Sequence, residues 1–293
     1  MVKRFRKVKI DNTVYIVKAL KSNYWRPGSD YLSDIISALS NFGVKDDDII
    51  FISEKAVSTA LGNIVDEDKV RPGILAKVIA RFWMRYIWGY ILGPLSRLRK
   101  STILFLREYP LDYGARHKEV ALRYAGLLSA LCFGSEGGID GSNLPYALVC
   151  LPLRKPREIA IMIRSKIEEK LRVKVGVILV DSDRCYKWLR TWVSPRYTCL
   201  KGVKSFGGVL TYVISNMLKL RDSPTPIAVD GIDFNLNKMY KLLRVVDKVR
   251  GHGAGRNVWE MAERFGTSLT GVTWNMLEGI PHYPIVIARK INE

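Results

Sequence analysis

Apolar positions along this chain follow two rhythms, and each predicts an element. Residues 13–20, Thr-Val-Tyr-Ile-Val-Lys-Ala-Leu, are β-branched and aromatic and predict a strand. After the Arg26-Pro27-Gly28 turn, Leu32, Ile35, Ile36 and Leu39 fall at helical spacing, with Ser29 or Asp30 as cap and Gly43 as terminator. Asp48 to Ser53 is a short apolar run that predicts a buried strand, and 56–65 alternates weakly around Gly62-Asn63, as a second strand pair would. Ile74 to Leu92 reads as an amphipathic helix ended by Gly93-Pro94, with Lys77, Arg81 and Arg85 outward and its aromatic stripe inward. Residues 101–107 look strand-like, and 116–131 fit helix or strand equally. A glycine-rich loop over 134–145 precedes a strand at 147–153. Ile159, Ile163, Ile167 and Leu171 then mark a helix, which leads into an apolar strand from Val173 that stops at Asp181. Strands and helices mix without a βαβ rhythm or an internal repeat, so the expected class is α+β, with a mixed sheet.

Composition narrows the class of partner. At 293 residues, 48% hydrophobic and 26% charged, the chain is long and apolar enough for one large unit or two packed lobes, and not disordered. The formal net charge of +19 attracts phosphate, whether on a nucleotide, a nucleic acid or a lipid. Zinc-finger spacing, an aromatic RNP pattern and a helix-turn-helix are all missing from the sequence, which argues against a dedicated nucleic-acid binder. Cys132, Cys150, Cys185 and Cys199 form no C-x-x-C pair, which suits a reducing, cytoplasmic setting. The basic N-terminus has no apolar stretch behind it, so no signal peptide is expected. A spanning helix at Ile74–Leu92 would bury three charges at roughly 2.5–3.5 kcal/mol each, so no transmembrane segment is expected. A membrane-surface or dimer-contact face is the alternative to a core-facing one.

Three segments carry candidate chemistry. In Gly134–Asn143 the glycines allow close backbone approach to a ligand, Asp140 is a hard oxygen donor, and Ser142 and Asn143 offer bonds to sugar or phosphate. Asp181-Ser182-Asp183-Arg184 ends an apolar strand, where ligands of α/β sheets gather. There Asp183 and Ser182 would extend a metal shell and Arg184 would clamp an anion, unless Asp181 merely caps a helix. Gly251-His252-Gly253-Ala254-Gly255-Arg256-Asn257 opens a helix but lacks Rossmann or Walker spacing. With three histidines and no Gly-x-Ser-x-Gly elbow, serine-hydrolase chemistry is not indicated.

Taken in order, these segments resemble the coenzyme F-420-0:γ-glutamyl ligase family. Arg26-Pro27-Gly28 and the strand running into Ser53-Glu54-Lys55-Ala56-Val57-Ser58 match its opening. Gly138-Ile139-Asp140-Gly141-Ser142-Asn143-Leu144-Pro145 is similar to its most specific motif, and Val180-Asp181-Ser182-Asp183 to the next. Glu278-Gly279-Ile280-Pro281, running on to Arg289, is similar to its closing loop and strand. The resemblance implies a single ligase-like unit over 1–293 built as two interwoven lobes, usually a homodimer. It also implies GTP and one or two Mg²⁺ or Mn²⁺ ions, which serve to activate a small-molecule carboxylate and join it to the amine of glutamate or a similar donor. Asp140, Asp181 and Ser182 would hold metal. Asn143 would meet the nucleotide, bordered by Ser22, Asn23, Trp25, Ser53, Lys55, Ser58, Glu278 and Gly279, with Glu136, Asp183 and Arg184 as further candidates. No side-chain acid or base is singled out, because acyl-phosphate chemistry rests mainly on positioning and charge.

The chain also departs from the family pattern. Thr59 stands where the family has a nucleotide-facing lysine, which Lys55 would replace, and Leu61 stands where it has glutamate. The Gly-Arg expected after Asp181-Ser182 is Asp183-Arg184. These changes motivate an alternative: a repurposed, non-catalytic relative that binds a nucleotide or nucleic acid through its basic surface.

Overall fold

Alternating apolar residues place one long mixed sheet at the centre of the molecule. A computed structural model describes residues 3–134, 136–233 and 235–291. The strands are β1 (Phe5–Ile10), β2 (Thr13–Ser22), β3 (Ile49–Ser53), β4 (Ile64–Asp66), β5 (Leu148–Cys150), β6 (Gly176–Trp188), β7 (Thr191–Ser194), β8 (Val203–Ser205), β9 (Asp222–Asp230) and β10 (His282–Ile291). The main sheet runs β1-β2-β10-β3-β6-β7-β8, with β9 also paired to β6, while β4 and β5 form a separate antiparallel pair. β3 and β6 are parallel, and β10 runs antiparallel to both β2 and β3.

The helices are α1 (Tyr31–Phe42), α2 (Glu54–Ala60), α3 (Ile74–Val78), a π-helix (Ile79–Leu92), α4 (Gly93–Leu95), α5 (Lys100–Arg107), α6 (Leu111–Ala125), α7 (Leu127–Ala130), α8 (Pro156–Leu171), α9 (Val209–Met217), α10 (Leu236–Arg250), α11 (Val258–Phe265) and α12 (Trp274–Glu278). Ile50, Ile52, Val177, Leu179, Ile285 and Ile287 face α1 and α8, whereas Ile49, Phe51, Ile178, Val180, Val286 and Ala288 face α10. That two-residue alternation covers both sheet faces with helices and makes the strands read as continuous apolar runs. A separate helical core joins the π-helix to α5, α6 and α9 around Met84, Trp88, Leu106 and Val209.

The α+β class with a mixed sheet is as the pattern predicts, and so are β2, β3, α8 and α1. Asp30 caps α1 by accepting from Ser33 N, and Gly43 ends it at φ 73°. Four expectations are corrected. The first half of the 56–65 stretch is helix α2, not strand; Ala56 to Ala60 are all buried there, so no amphipathic period exists to be read. Residues 101–107 are α5, because Leu106 packs into the helical core and tertiary contact overrides a short β-branched run. Gly93-Pro94 does not stop the long helix, since α4 follows the π-helix directly with Pro94 in its first turn. The β6 strand does not end at Asp181 either. It continues to Trp188 across an irregularity between Asp181 and Arg184, held by pairing to β9 and then β7.

Candidate active-site cleft

Because β3 and β6 are parallel with Ser53 opposite Val180, Ser53-Glu54 and Asp181 emerge side by side at the carboxyl end of the pair. β10 enters the sheet from the same end, where His282 pairs with Ser22 at the end of β2. Asp140 is brought there by β5: its N–H donates to Cys150 O at 3.2 Å, and Cys150 N donates back to Asp140 O at 3.0 Å. The result is a cleft lined by Trp25, Ser53, Lys55, Asp140, Asn143, Asp181 and Ser182, together with Tyr24, Ser142, the 250–256 loop and Pro281–Pro284. Ser22, Asn23, Glu278 and Gly279 line an adjoining open groove.

Other expected residues lie outside the cleft lining. The Ser58 hydroxyl donates to Leu151 O at 2.6 Å and ties α2 to the following loop. Arg184 turns to Asp247 on α10 at 3.0 Å and to Asp222 at 3.5 Å. Glu136 is buried under the glycine loop, where it accepts from the fully buried Lys118 at 2.9 Å. Its neighbour Ser135 lies outside the described residues.

Inside the cleft, charge is arranged around two internal cations. Lys55 Nζ lies 2.8 Å from Asp140 Oδ2 and also donates to Ser142 O. Ser142 reinforces Asp140 through its N–H at 2.7 Å and its hydroxyl at 3.0 Å. The buried Arg196 guanidinium forks onto Glu54 at 2.7 and 3.0 Å and reaches Asp181 as well. Burial pushes Glu54 up from the carboxylate range, although Arg196 opposes it. Asp183, behind Asp181, is pushed well up by burial and then by the charges of Asp181 and Asp140, and its Oδ2 has no hydrogen-bond partner. Arg196 and Glu54 were not singled out from the sequence, since Arg196 lies in the irregular segment after β7. The only pointer was Glu54, a carboxylate next to an apolar strand.

The glycine loop serves this arrangement. Gly138 has φ +96°, and a Cβ there would lie 2.4 Å from Arg196 Cζ. The close approach that the sequence suggested for a ligand is therefore made to the guanidinium. Gly138→Ala should lower stability by about 1–3 kcal/mol through strain and displacement of Arg196, read as a shifted urea midpoint with an unchanged slope.

Asn143 is a brace between loops. Its Oδ1 accepts from Ala254 N at 2.6 Å, its Nδ2 donates to His252 O and Gly255 O at 3.3 Å, and its carbonyl accepts from Tyr24 Oη at 2.6 Å. The 251–256 glycine loop thus belongs to the cleft even though it carries no nucleotide motif. Burial, then Asp140 and Glu278, hold the Tyr24 hydroxyl firmly protonated.

His282 is the titratable group whose change should be easiest to see. Its Nδ1–H donates to Asn23 O at 2.8 Å, and burial lowers its pKa from 6.5 to about 4. The unfolded chain therefore binds a proton that the folded chain refuses between those values, so stability is lost as pH falls through that window. We expect a loss on the order of 2 kcal/mol between pH 7 and 4 that His282→Asn removes, measured as urea midpoints against pH.

A divalent cation suits this donor set. Asp140 and Asp181 both line the cleft, and the Oδ2 of Asp183, buried behind Asp181, has no hydrogen-bond partner. The donors are hard oxygens, as Mg²⁺ or Mn²⁺ prefers. Among the described residues, no three His, Cys, Asp or Glu side chains already converge on one point as a ready cage. A cation here would fill the rest of its shell with substrate oxygens and water, the usual habit of Mg²⁺.

Comparison with known proteins agrees with the arrangement of the chain. The sequence profile described as F420-0:gamma-glutamyl ligase matches residues 19–229. An uncharacterized protein of Methanocaldococcus jannaschii is 30% identical over 285 residues, covering 94% of this chain and 96% of that protein. The coenzyme F420:L-glutamate ligase of Archaeoglobus fulgidus is 28% identical over 162 residues, covering 54% of this chain and 56% of the relative. With the profile spanning most of the chain, including the segments that carry Asp140 and Asp181, this protein belongs to the F420-0:gamma-glutamyl ligase family.

Proposed function

We propose that the cleft activates a small carboxylate with GTP and joins it to the amine of glutamate or a similar donor, with Mg²⁺ or Mn²⁺ bound by Asp140, Asp181 and Ser182. The observation that carries this reading is the convergence of Asp140, Asn143, Asp181 and Ser182 with Lys55 and the 251–256 loop on one cleft. A carboxylate is a poor electrophile. Its oxygen attacks the γ-phosphorus, GDP leaves, and an acyl phosphate results; the amine then attacks the acyl carbon, releasing phosphate and a proton. When bound, the metal supplies positive charge against the phosphate oxygens. Lys55 holds Asp140 and stands ready as a point charge for an anion, in the role that Thr59 lacks. Arg196 and Glu54 fix the carboxylate of Asp181. Tyr24, Asn143 and the 251–256 loop shape the wall on which the nucleotide would rest, and Trp25 and Ser53 line it.

Hydroxylamine tests the chemistry directly. Nucleotide, Mn²⁺ and a panel of carboxylates should yield hydroxamate and GDP. Phosphate-bearing ligand that binds but never turns over, with affinity falling steeply with salt, would favour the non-catalytic alternative. A cytoplasmic homodimer completes the proposal. Four free cysteines suit that compartment, and no helix of the described residues is long and apolar enough to cross a membrane.

A further inference from the structure

Along the helix from Ile74 to Leu95, Lys77 and Arg81 face out and Trp83 and Trp88 face in, as the sequence predicts, but the rest of the aromatic stripe does not turn inward. Trp83 and Trp88 both donate their indole N–H to Leu131 O, at 2.8 and 2.7 Å, and Met84 and Trp88 are buried in the helical core. The aromatic row itself faces out: Ile74, Val78, Phe82, Tyr86 and Tyr90 are 82, 45, 55, 57 and 57% exposed. Ile74 and Val78 of α3 begin the exposed row, and Phe82, Tyr86 and Tyr90 of the π-helix continue it. Phe82, Tyr86 and Tyr90 stack along it, with ring centres 6.2 and 6.4 Å apart.

Charge decides what would cover this face. From Val70 to Arg107 the sequence has eight Lys or Arg residues and no Asp or Glu. Lys77 and Arg81 are exposed beside the row, and Arg107 lies over the Tyr90 ring at 4.3 Å. Arg97, Arg99 and Lys100 are exposed just beyond its end. We propose that this face docks on an anionic lipid bilayer, with the apolar row sunk into the headgroup boundary and the basic residues on lipid phosphates.

Two other occupants fit less well. A second copy would set two such strongly basic stretches against each other. A nucleic acid needs open ring faces, but these rings face one another, with less room between them than two stacking distances of about 3.4 Å each. Exposed Ile74 and Val78 suit acyl chains and offer nothing to a phosphate backbone.

Cosedimentation of the full chain tests the proposal. It should pellet with vesicles of phosphatidylcholine containing roughly a third phosphatidylglycerol and stay in solution with phosphatidylcholine alone. Phe82→Ser/Tyr86→Ser/Tyr90→Ser and, separately, Lys77→Glu/Arg81→Glu should each weaken binding about tenfold or more. Arg6→Glu/Lys9→Glu makes the same change in net charge on exposed β1 and should leave binding unchanged. All these side chains are exposed, so folding is expected to be kept, with circular dichroism as the check. Absence of binding to anionic vesicles would overturn the proposal. So would equal weakening by the β1 variant, which would mean attraction by net charge alone. A lipid-free dimer lost in the triple aromatic variant would assign the face to a second copy. Displacement of the vesicles by single-stranded RNA, with RNA binding lost in that variant, would assign it to nucleic acid.

Discussion

Replacing Arg196 by methionine should destabilise the protein by about 3–5 kcal/mol at neutral pH, the usual result of leaving buried carboxylates without their cation. Arg196 is buried, bonded to Glu54 through both terminal nitrogens, and shared with Asp181. Without it, Glu54 and Asp181 would face each other and Asp183 across a poorly solvated space. The sign with pH is fixed. A buried acid whose pKa is raised keeps its proton longer in the folded than in the unfolded state, so it costs stability as pH rises above the ordinary carboxylate range. The deficit of the variant should therefore shrink as pH is lowered toward 4.5, the ordinary value for glutamate. Adding Glu54→Gln should recover part of the loss at neutral pH. Urea midpoints at several pH values measure both effects. A deficit that is small, or independent of pH, would mean that Arg196 does not carry the charge balance of the cleft.

The largest effect on activity is expected at Asp140. Asp140→Asn keeps the size of the side chain and leaves an oxygen to accept from Ser142, but it loses the charge that pairs with Lys55. Turnover should fall by about 10²–10³-fold, as when one preorganised electrostatic contact to a reacting group is removed. Stability should change by about 1 kcal/mol or less, because Lys55 and Asp140 reach solvent in part. A variant that keeps full turnover would place the chemistry elsewhere on the chain.

Much of this was legible in the sequence, for physical reasons that can be traced. The central sheet strands are buried on both faces, so β3 and the first half of β6 stand out as unbroken apolar runs, and β2 as a β-branched one broken by Lys18. Asp140 and Asn143 stood out because the glycine-rich loop before an apolar strand carries hard oxygen donors, Asp181 because it follows an apolar run, and resemblance joined them in one site. What stayed hidden was tertiary. Arg196 comes from a segment without periodicity, and its link to Glu54 spans 142 positions in sequence. Gly138 was read as a place for a ligand to approach, but the chain's own guanidinium fills that space. Asp181 and Arg184 looked like a strand end because Asp-Ser-Asp-Arg is a poor strand former, and only pairing with β9 and β7 carries β6 onward. The aromatic row was placed inward because helical spacing alone does not say which apolar side is covered. Trp83 and Trp88 hold one side against Leu131 and leave Phe82, Tyr86 and Tyr90 out.

Metal-dependent nucleotide binding in the cleft is measured by calorimetric titration of the wild type with GTP, with and without Mn²⁺, repeated on Asp140→Asn. Binding should require the metal and raise thermal stability by about 2.7 kcal/mol at a hundredfold excess over the dissociation constant, and both effects should be lost in the variant. Binding that ignores Mn²⁺, or that survives Asp140→Asn unchanged, would contradict the proposed nucleotide–metal site.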